Sequence, residues 1–233
     1  MLRRLIKASA IVAGVAAFCL AAAACSPLKQ GAAAIVGNQR ITIAALDTEV
    51  TDLSQAAAQY PTAVNLNASQ RTQATLTWLI RYQITEELAR QQGITVSDAQ
   101  GQQALDQAVA GAEASAAQQG LTNATQNLIL AASGIPPDTY LELGRYESIS
   151  DQYLVKANGG TLPASGSAAA TAAGTKLNNA ECQAAKALNI QVNPQFGQLD
   201  YSQYQVVTAP STVTRAPGPV KAAASSSATA PAC

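Results

Sequence analysis

A cysteine that follows three small residues is the first point in this sequence where residue types and spacing indicate a specific chemistry. Residues 22–24 are alanines and the next residue is Cys25; they follow a basic segment that ends at Lys7 and an uncharged apolar run over residues 8–24. Small side chains fit the narrow site of the peptidase that processes bacterial lipoproteins, and the thiol behind them accepts diacylglycerol. We therefore predict a lipoprotein signal peptide over residues 1–24 and lipidation of Cys25.

The apolar run also allows two plainer interpretations, an uncleaved transmembrane helix and an ordinary secretory signal. Residues 8–24 are fewer than the ~20 apolar residues that a membrane-spanning helix usually needs. Lipidation would place everything after Cys25 outside the cytoplasmic membrane, tethered to its outer leaflet. The predicted location is therefore the extracytoplasmic face of the cell membrane, and the membrane is a partner through the lipid anchor.

Charge and residue types exclude several classes of function. Without residues 1–24 the chain keeps 11 of its 14 basic residues and all 14 acidic residues, a net charge of about −3. Nucleic-acid binding needs Lys and Arg to neutralise phosphates, so we expect no nucleic-acid partner. The sequence has no histidine, which removes the commonest general base and the commonest metal ligand. We predict no catalytic residue, no metal site and no cofactor, and hence a protein that is not an enzyme.

Two further cysteines follow in the part of the chain that is predicted to be exported. With Cys25 committed to lipid, Cys182 and Cys233 remain, and an oxidising extracytoplasmic compartment allows them to form a disulfide. The alternative is two independent thiols. Both interpretations of this pair of residues stay open at the level of the sequence.

The adjacent carboxylates of Glu86 and Glu87 are the one acidic pair to consider for catalysis. Paired carboxylates perform acid–base chemistry when they are buried together. Neighbouring residues of a helix face different directions, however, and Arg81 and Arg90 flank the pair. We therefore predict ion pairs on a helix surface in place of a catalytic pair.

Aromatic side chains are the candidates for binding. Two interpretations fit them: they line an apolar groove that contacts unfolded segments of other proteins, or they pack in the core, which we expect for most of them. The candidates are Trp78, Tyr82, Tyr140, Tyr146 and Tyr153.

Helices must position these side chains, because the sequence is rich in alanine and glutamine and contains only two phenylalanines and one tryptophan. A short hairpin is predicted first, since β-branched residues flank the pair Gly37-Asn38. Apolar residues then recur at steps of three and four behind capping residues. The predicted helices are one capped by Thr42, followed by helices over about 69–92, 97–119, 122–132 and 136–157.

Composition changes abruptly at Asn158, after which Gly, Ala, Ser and Thr dominate. A stretch of this kind is predicted to be a flexible linker, and the Ala, Pro, Ser and Thr at the far end are typical of disorder. The predicted segments are a tether at 25–32, a helical module at 33–157, a linker at 158–175, a helix and strand that complete the module at 176–207, and a low-complexity disordered tail at 208–233.

Two segments carry a resemblance to a known family. LTWLIRYQITEELARQQGITVSDAQ (residues 76–100) resembles the N-terminal chaperone module of SurA-type periplasmic folding factors and of PrsA-like lipoproteins, and IQVNPQFGQLD (residues 190–200) is similar to their C-terminal strand. The residues that carry the first match are Leu76, Leu79, Ile80, Ala89, Gly93, Ile94, Val96, Ser97 and Asp98.

The resemblance implies a mainly α fold in which the N-terminal hairpin pairs with the C-terminal strand, so that Ile35 and Val36 meet residues 190–192. Family members often insert a peptidyl-prolyl isomerase domain before that strand, and residues 158–175 are too few for one. The implied function is a lipid-anchored extracytoplasmic chaperone-like protein that transiently binds unfolded exported polypeptides without catalysis. Two alternatives remain, an envelope adaptor for one specific partner and a relative of the isomerases.

Overall fold

The structure of the protein is a computed structural model that describes residues 31–61, 64–118 and 125–209. The mainly α fold predicted from the sequence is confirmed. The helices within these ranges are α1 (Ile43–Gln59), α2 (Ala68–Gln92), α3 (Asp98–Gln118), α4 (Gln126–Ala132), α5 (Tyr140–Ala157) and α6 (Ala168–Leu188), with a 3-10 turn at Pro137–Thr139. The strands are β1 (Ala32–Val36), β2 (Gln39–Thr42), β3 (Gln191–Val192), β4 (Gln198–Asp200) and β5 (Gln205–Val207).

Strand β1 lies between β2 and β3 and is antiparallel to both. Ile35 lies opposite Gln191. Asn193 extends this contact, because its backbone amide donates to the carbonyl of Ala33 at 2.8 Å and its side-chain amide donates to the carbonyl of Ala32 at 3.0 Å. The predicted pairing of the N-terminal hairpin with the C-terminal strand is therefore confirmed.

Caps define the ends of the helices. Thr42 accepts a hydrogen bond from the amide of Ala45 at 3.0 Å, as predicted. At the start of α2, Asn67 and Gln70 cap each other's backbone amides at 2.9 and 2.8 Å. The same helix ends at Gly93, whose φ of 65° is the left-handed conformation that favours glycine.

The core lies where α2 packs against β1 and α6. One face of α2 is buried to 0–2% exposure through Leu76, Ile80, Ile84 and Leu88. Ala184 of α6 is fully buried in the same cluster. Because α6 presents small side chains to α2, the two helices approach closely, and the core fills without many aromatic residues.

Helix α6 begins earlier than the sequence pattern predicts. Ser167 caps it by accepting from the amide of Ala170 at 3.0 Å, and Ala173 is only 2% exposed. The predicted linker over residues 158–175 is therefore wrong in its second half, and the connection between α5 and α6 is residues 158–167. Alanine is common in low-complexity segments but is also the strongest helix former. Composition alone therefore does not reveal that α6 begins at Ala168.

Helices α3 and α5 cross at a pair of glycines. A Cβ atom added to Gly144 of α5 would lie 2.2 Å from the carbonyl oxygen of Gly101 in α3. The two helix backbones are therefore in direct contact at this point. Helix α5 thus packs on α3 through Gly144, and its neighbouring residues Leu143 and Tyr146 line the site described next.

Candidate functional site

A groove of about 520 Å³ opens between α2, α5 and β5. Helix α2 contributes residues spaced by three and four, which places them on one helical face; they are Gln70, Gln73, Ala74, Thr77, Trp78 and Arg81. The other walls are Ser133, Gly134 and Ile135, then Leu143, Tyr146 and Glu147 of α5, and Gln205 and Val206 of β5. The lining thus combines aromatic and aliphatic side chains with amides and two charges.

Trp78 is the most constrained aromatic residue of the groove. Its indole N–H donates to the hydroxyl of Thr139 at 2.8 Å, and that hydroxyl donates in turn to the carbonyl of Pro136 at 2.8 Å. The indole meets the ring of Tyr146 edge-on with centroids 5.7 Å apart and stacks on Tyr82 at 6.4 Å. Since Trp78 is only 6% exposed, it serves as core and as groove wall together.

The five aromatic candidates from the sequence separate into two groups. Trp78, Tyr82 and Tyr146 form one aromatic cluster, of which Trp78 and Tyr146 line the groove. Tyr140 is 38% exposed at the start of α5, and Tyr153 packs on the core while its hydroxyl donates to the carbonyl of Lys176 at 3.1 Å. Neither Tyr140 nor Tyr153 lines the groove.

Arg81 and Glu147 are the two charged residues of the groove lining. The guanidinium of Arg81 donates to the hydroxyl of Tyr146 at 3.1 Å and lies 5.8 Å from the centre of that ring. Burial raises the pKa of Glu147, with a further upward contribution from Asp151, while Arg81 opposes the shift. Burial likewise raises the pKa of Glu181, which lies on α6 and also feels Arg81. Arg81 therefore interacts with two buried carboxyl groups, those of Glu147 and Glu181.

We expect Glu181→Gln to raise the free energy of unfolding at pH 7. The native pKa of Glu181 is raised by burial, so the charged form opposes folding above that pKa, and the penalty disappears as the pH falls through it. Urea unfolding of both proteins at pH 7 and pH 5 measures the difference, which should shrink on acidification. Glu113→Gln on an exposed face of α3 is the matched control, and an E181Q protein less stable than wild type at pH 7 would contradict this assignment.

The adjacent residues Glu86 and Glu87 form ion pairs with two different arginines. Glu87 accepts from Arg90 at 2.5 and 2.7 Å, and this hydrogen bond lowers the pKa of Glu87, as the predicted surface pairing requires. Glu86 pairs at 3.2 Å with Arg145 of α5. The expected partner Arg81 instead lines the groove and donates to the hydroxyl of Tyr146 on α5.

Sequence reasoning missed most of the polar lining. Gln70, Gln73, Thr77 and Arg81 follow one another at steps of three and four, and Trp78 lies three residues before Arg81, so the sequence could have assigned these residues to one side of α2. Glu147 and Val206 carry no such signal, since they reach the groove from other elements. The amide of Val206 donates to the hydroxyl of Thr77 at 2.8 Å across 129 positions of sequence.

Several predicted sites fall outside the described residues. Cys25 does, so its lipidation stays a prediction. Cys182 is 8% exposed and disulfide-bonded; it is the one cysteine inside the described ranges, and Cys233 lies outside them. The predicted tail is described only as far as Ala209.

Within the described part of the chain, no group of three or more acidic, Cys or His side chains could hold a metal ion, and none of the helices is long and apolar enough to cross a membrane.

The described residues define a helical module that is closed by pairing between its first hairpin and a C-terminal strand, with a mixed apolar and amide groove on its surface. The family model of the SurA-like N-terminal domain matches residues 1–154, and the chain belongs to that family. The family is of the chaperone type and extracytoplasmic. Comparisons with curated proteins and with solved structures gave no match. The family match ends before α6 and the strands that follow it.

Proposed function

We propose that this chain is a lipid-anchored, extracytoplasmic chaperone-like protein that transiently binds unfolded segments of exported polypeptides and performs no catalysis. The observation that carries the proposal is the groove between α2, α5 and β5, found within a member of the SurA-like family. An unfolded segment presents apolar side chains and an unpaired backbone. The groove walls offer apolar side chains for the first and amide side chains for the second.

The apolar part of the groove would bind side chains of many sequences. Trp78, Tyr146, Leu143, Ile135 and Val206 present aromatic and aliphatic atoms, and burial stabilises a complex by about 25 cal/mol per Å² whatever the shape of the apolar side chain. A site of about 520 Å³ holds only a few residues of a client. Affinity from so small a contact stays modest, so that the client is released to fold.

The amide side chains would bind the client backbone. Gln70, Gln73 and Gln205 line the groove; the Gln70 oxygen already caps Asn67 and the Gln73 NH₂ group already donates to Thr208. The NH₂ group of Gln70, the carbonyl oxygen of Gln73 and the amide of Gln205 would therefore serve the client, in which every residue of an extended chain except proline carries one donor and one acceptor. Hydrogen bonds of this kind are independent of sequence. Lipid at Cys25 would hold the groove beside the membrane and raise the effective concentration of emerging chains.

The connection between α5 and α6 supports a function without an isomerase domain. It consists of residues 158–167, far fewer than the ~50 residues of even a small folded domain. Turnover of a proline-containing peptide by the purified protein would contradict this part of the proposal.

Leu143→Glu is expected to weaken client binding about tenfold, because a charge on the groove wall removes about 1.4 kcal/mol of apolar contact. The assay follows the aggregation of a urea-unfolded polypeptide diluted into buffer with the full-length protein in lipid vesicles. The matched control is Leu162→Glu, the same change at a leucine that is 54% exposed and outside the groove.

Equal loss in both variants, or no suppression of aggregation by the wild-type protein, would contradict the chaperone proposal. A pull-down from vesicles separates it from the adaptor alternative. Recovery of a spread of unfolded clients supports the chaperone, whereas one stoichiometric partner would support the adaptor.

A further inference from the structure

A further cavity, of about 430 Å³, lies between α3 and α5, and we call it the α3–α5 cleft. It shares no lining residue with the groove. Gln100 adjoins Gly101 in sequence and Ser148 follows Gly144 by one helical turn, so the cleft begins beside the point where the two helix backbones are in contact. The polar residues that line it at helical spacing are Gln100, Gln103 and Gln107 of α3 and Ser148, Asp151 and Gln152 of α5.

The walls of the cleft differ in chemistry from those of the groove. Ala104 and Val155 are the two apolar residues of its lining, which contains no aromatic side chain. With so little apolar surface, burial cannot hold the side chains of an unfolded polypeptide here. Asp151 and Lys156 are the two charged residues of the lining, so their charges cancel. The cleft therefore suits a ligand that is polar and uncharged.

Much of the hydrogen-bonding capacity of the cleft is not used by the protein. Within the described ranges, the side chains of Gln103, Gln107 and Asp151 form no hydrogen bond and no ion pair. The hydroxyl of Ser148, a residue that is 8% exposed, accepts from the side-chain amide of Gln152 at 3.4 Å. That contact leaves the hydroxyl proton of Ser148 and the carbonyl oxygen of Gln152 able to bond to a ligand.

A saccharide matches this set of groups. Each of its hydroxyls donates one hydrogen bond and accepts others, and a side-chain amide likewise does both. A carboxylate only accepts, through two oxygens, and its hydrogen bonds are charge-assisted and therefore stronger than neutral ones. Asp151 is half-buried, and burial raises its pKa, so ligand hydroxyls that donate to its oxygens would replace the water that the fold removes.

We propose that the α3–α5 cleft binds a neutral saccharide of the size of a disaccharide, with Asp151 accepting from neighbouring hydroxyls and with Gln103 and Gln107 bonding to further hydroxyls. A cavity of about 430 Å³ lies within the usual range for small-molecule sites. Because the cleft and the groove have no lining residue in common, the saccharide and an unfolded client bind to separate sites. This site goes beyond the proposed function and does not depend on it.

Saturation-transfer difference NMR on the full-length protein in lipid vesicles tests the proposal. The probes are cellobiose and N,N′-diacetylchitobiose, and saturable binding of at least one of them is expected. Asp151→Asn should raise the dissociation constant about tenfold, because charge-assisted hydrogen bonds become neutral ones. Asp106→Asn is the matched control, the same change at an exposed residue of α3 outside the cleft, and it should leave the dissociation constant unchanged.

The absence of saturable binding by both disaccharides, or an equal affinity of the D151N protein, would overturn the proposal. Displacement of the bound disaccharide by a urea-unfolded polypeptide would also overturn it, since the cleft would then be a second site for clients. Co-sedimentation with cellulose or chitin that is lost in D151N identifies a polysaccharide as the source of the ligand, whereas binding of the soluble disaccharide alone identifies a free saccharide.

Discussion

Replacing Trp78 with alanine is expected to lower the free energy of unfolding by about 3–5 kcal/mol, the usual cost of removing a buried tryptophan. The residue is 6% exposed and touches the rings of Tyr82 and Tyr146. The substitution leaves a cavity between α2 and α5 and removes the donor to the Thr139 hydroxyl. Urea unfolding followed by circular dichroism measures the change without relying on the indole.

Trp78→Phe is the matched control for this variant. It keeps an aromatic ring against Tyr146 but removes the indole N–H that bonds to Thr139, a loss of about 1 kcal/mol. If W78A is as stable as the wild type, Trp78 is not packed as described. If W78F is destabilised as much as W78A, the hydrogen bond and not the ring contact holds this wall of the groove.

Gly144→Ala is expected to lower the free energy of unfolding by about 2–3 kcal/mol, at the upper end of the usual cost of overpacking. The new Cβ would lie 2.2 Å from the carbonyl oxygen of Gly101 and 3.1 Å from the side chain of Leu105. A backbone oxygen within a helix cannot rotate away, so α3 and α5 must separate. Thermal unfolding should show a midpoint lower by roughly 4–10 °C.

Gly111→Ala is the opposite case within the same pair of helices. Gly111 lies in α3, and a Cβ atom there would have nothing within 4 Å. Alanine has the higher helix propensity, so this variant should gain about 0.5–1 kcal/mol. A Gly144→Ala protein with an unchanged or higher midpoint would show that α3 and α5 do not meet through their backbones.

Local residue types predicted much of the fold. The capping of α1 by Thr42, the buried stripe of α2 and its end at Gly93 follow from hydrogen-bonding capacity, periodicity and the freedom of glycine. These signals act over three or four residues, which is the range within which a helix makes its contacts. The start of α6 was misplaced because alanine is typical of two different structures.

The candidate site was predictable only in part for a related reason. Helical spacing alone places Gln70 and Arg81 close to Trp78 on one face of α2, and Gln73 follows Gln70 by three residues. Tyr140 and Tyr153 also appeared suitable as groove residues, since aromatic character alone does not reveal the direction of a side chain. Packing of α5 turned Tyr146 into the groove and left Tyr140 exposed.

By itself the sequence determined a helical chain with a terminal hairpin, a C-terminal strand of recognisable family type and no histidine for catalysis. Tertiary structure decided that β5 and α5 close a groove on α2, that Glu86 pairs with Arg145, and that Gly101 and Gly144 bring two helices into contact. The reason is the separation along the sequence of the residues that interact. Propensity and periodicity are encoded by neighbouring residues, whereas a groove exists only when elements far apart in sequence bury their apolar surfaces against one another.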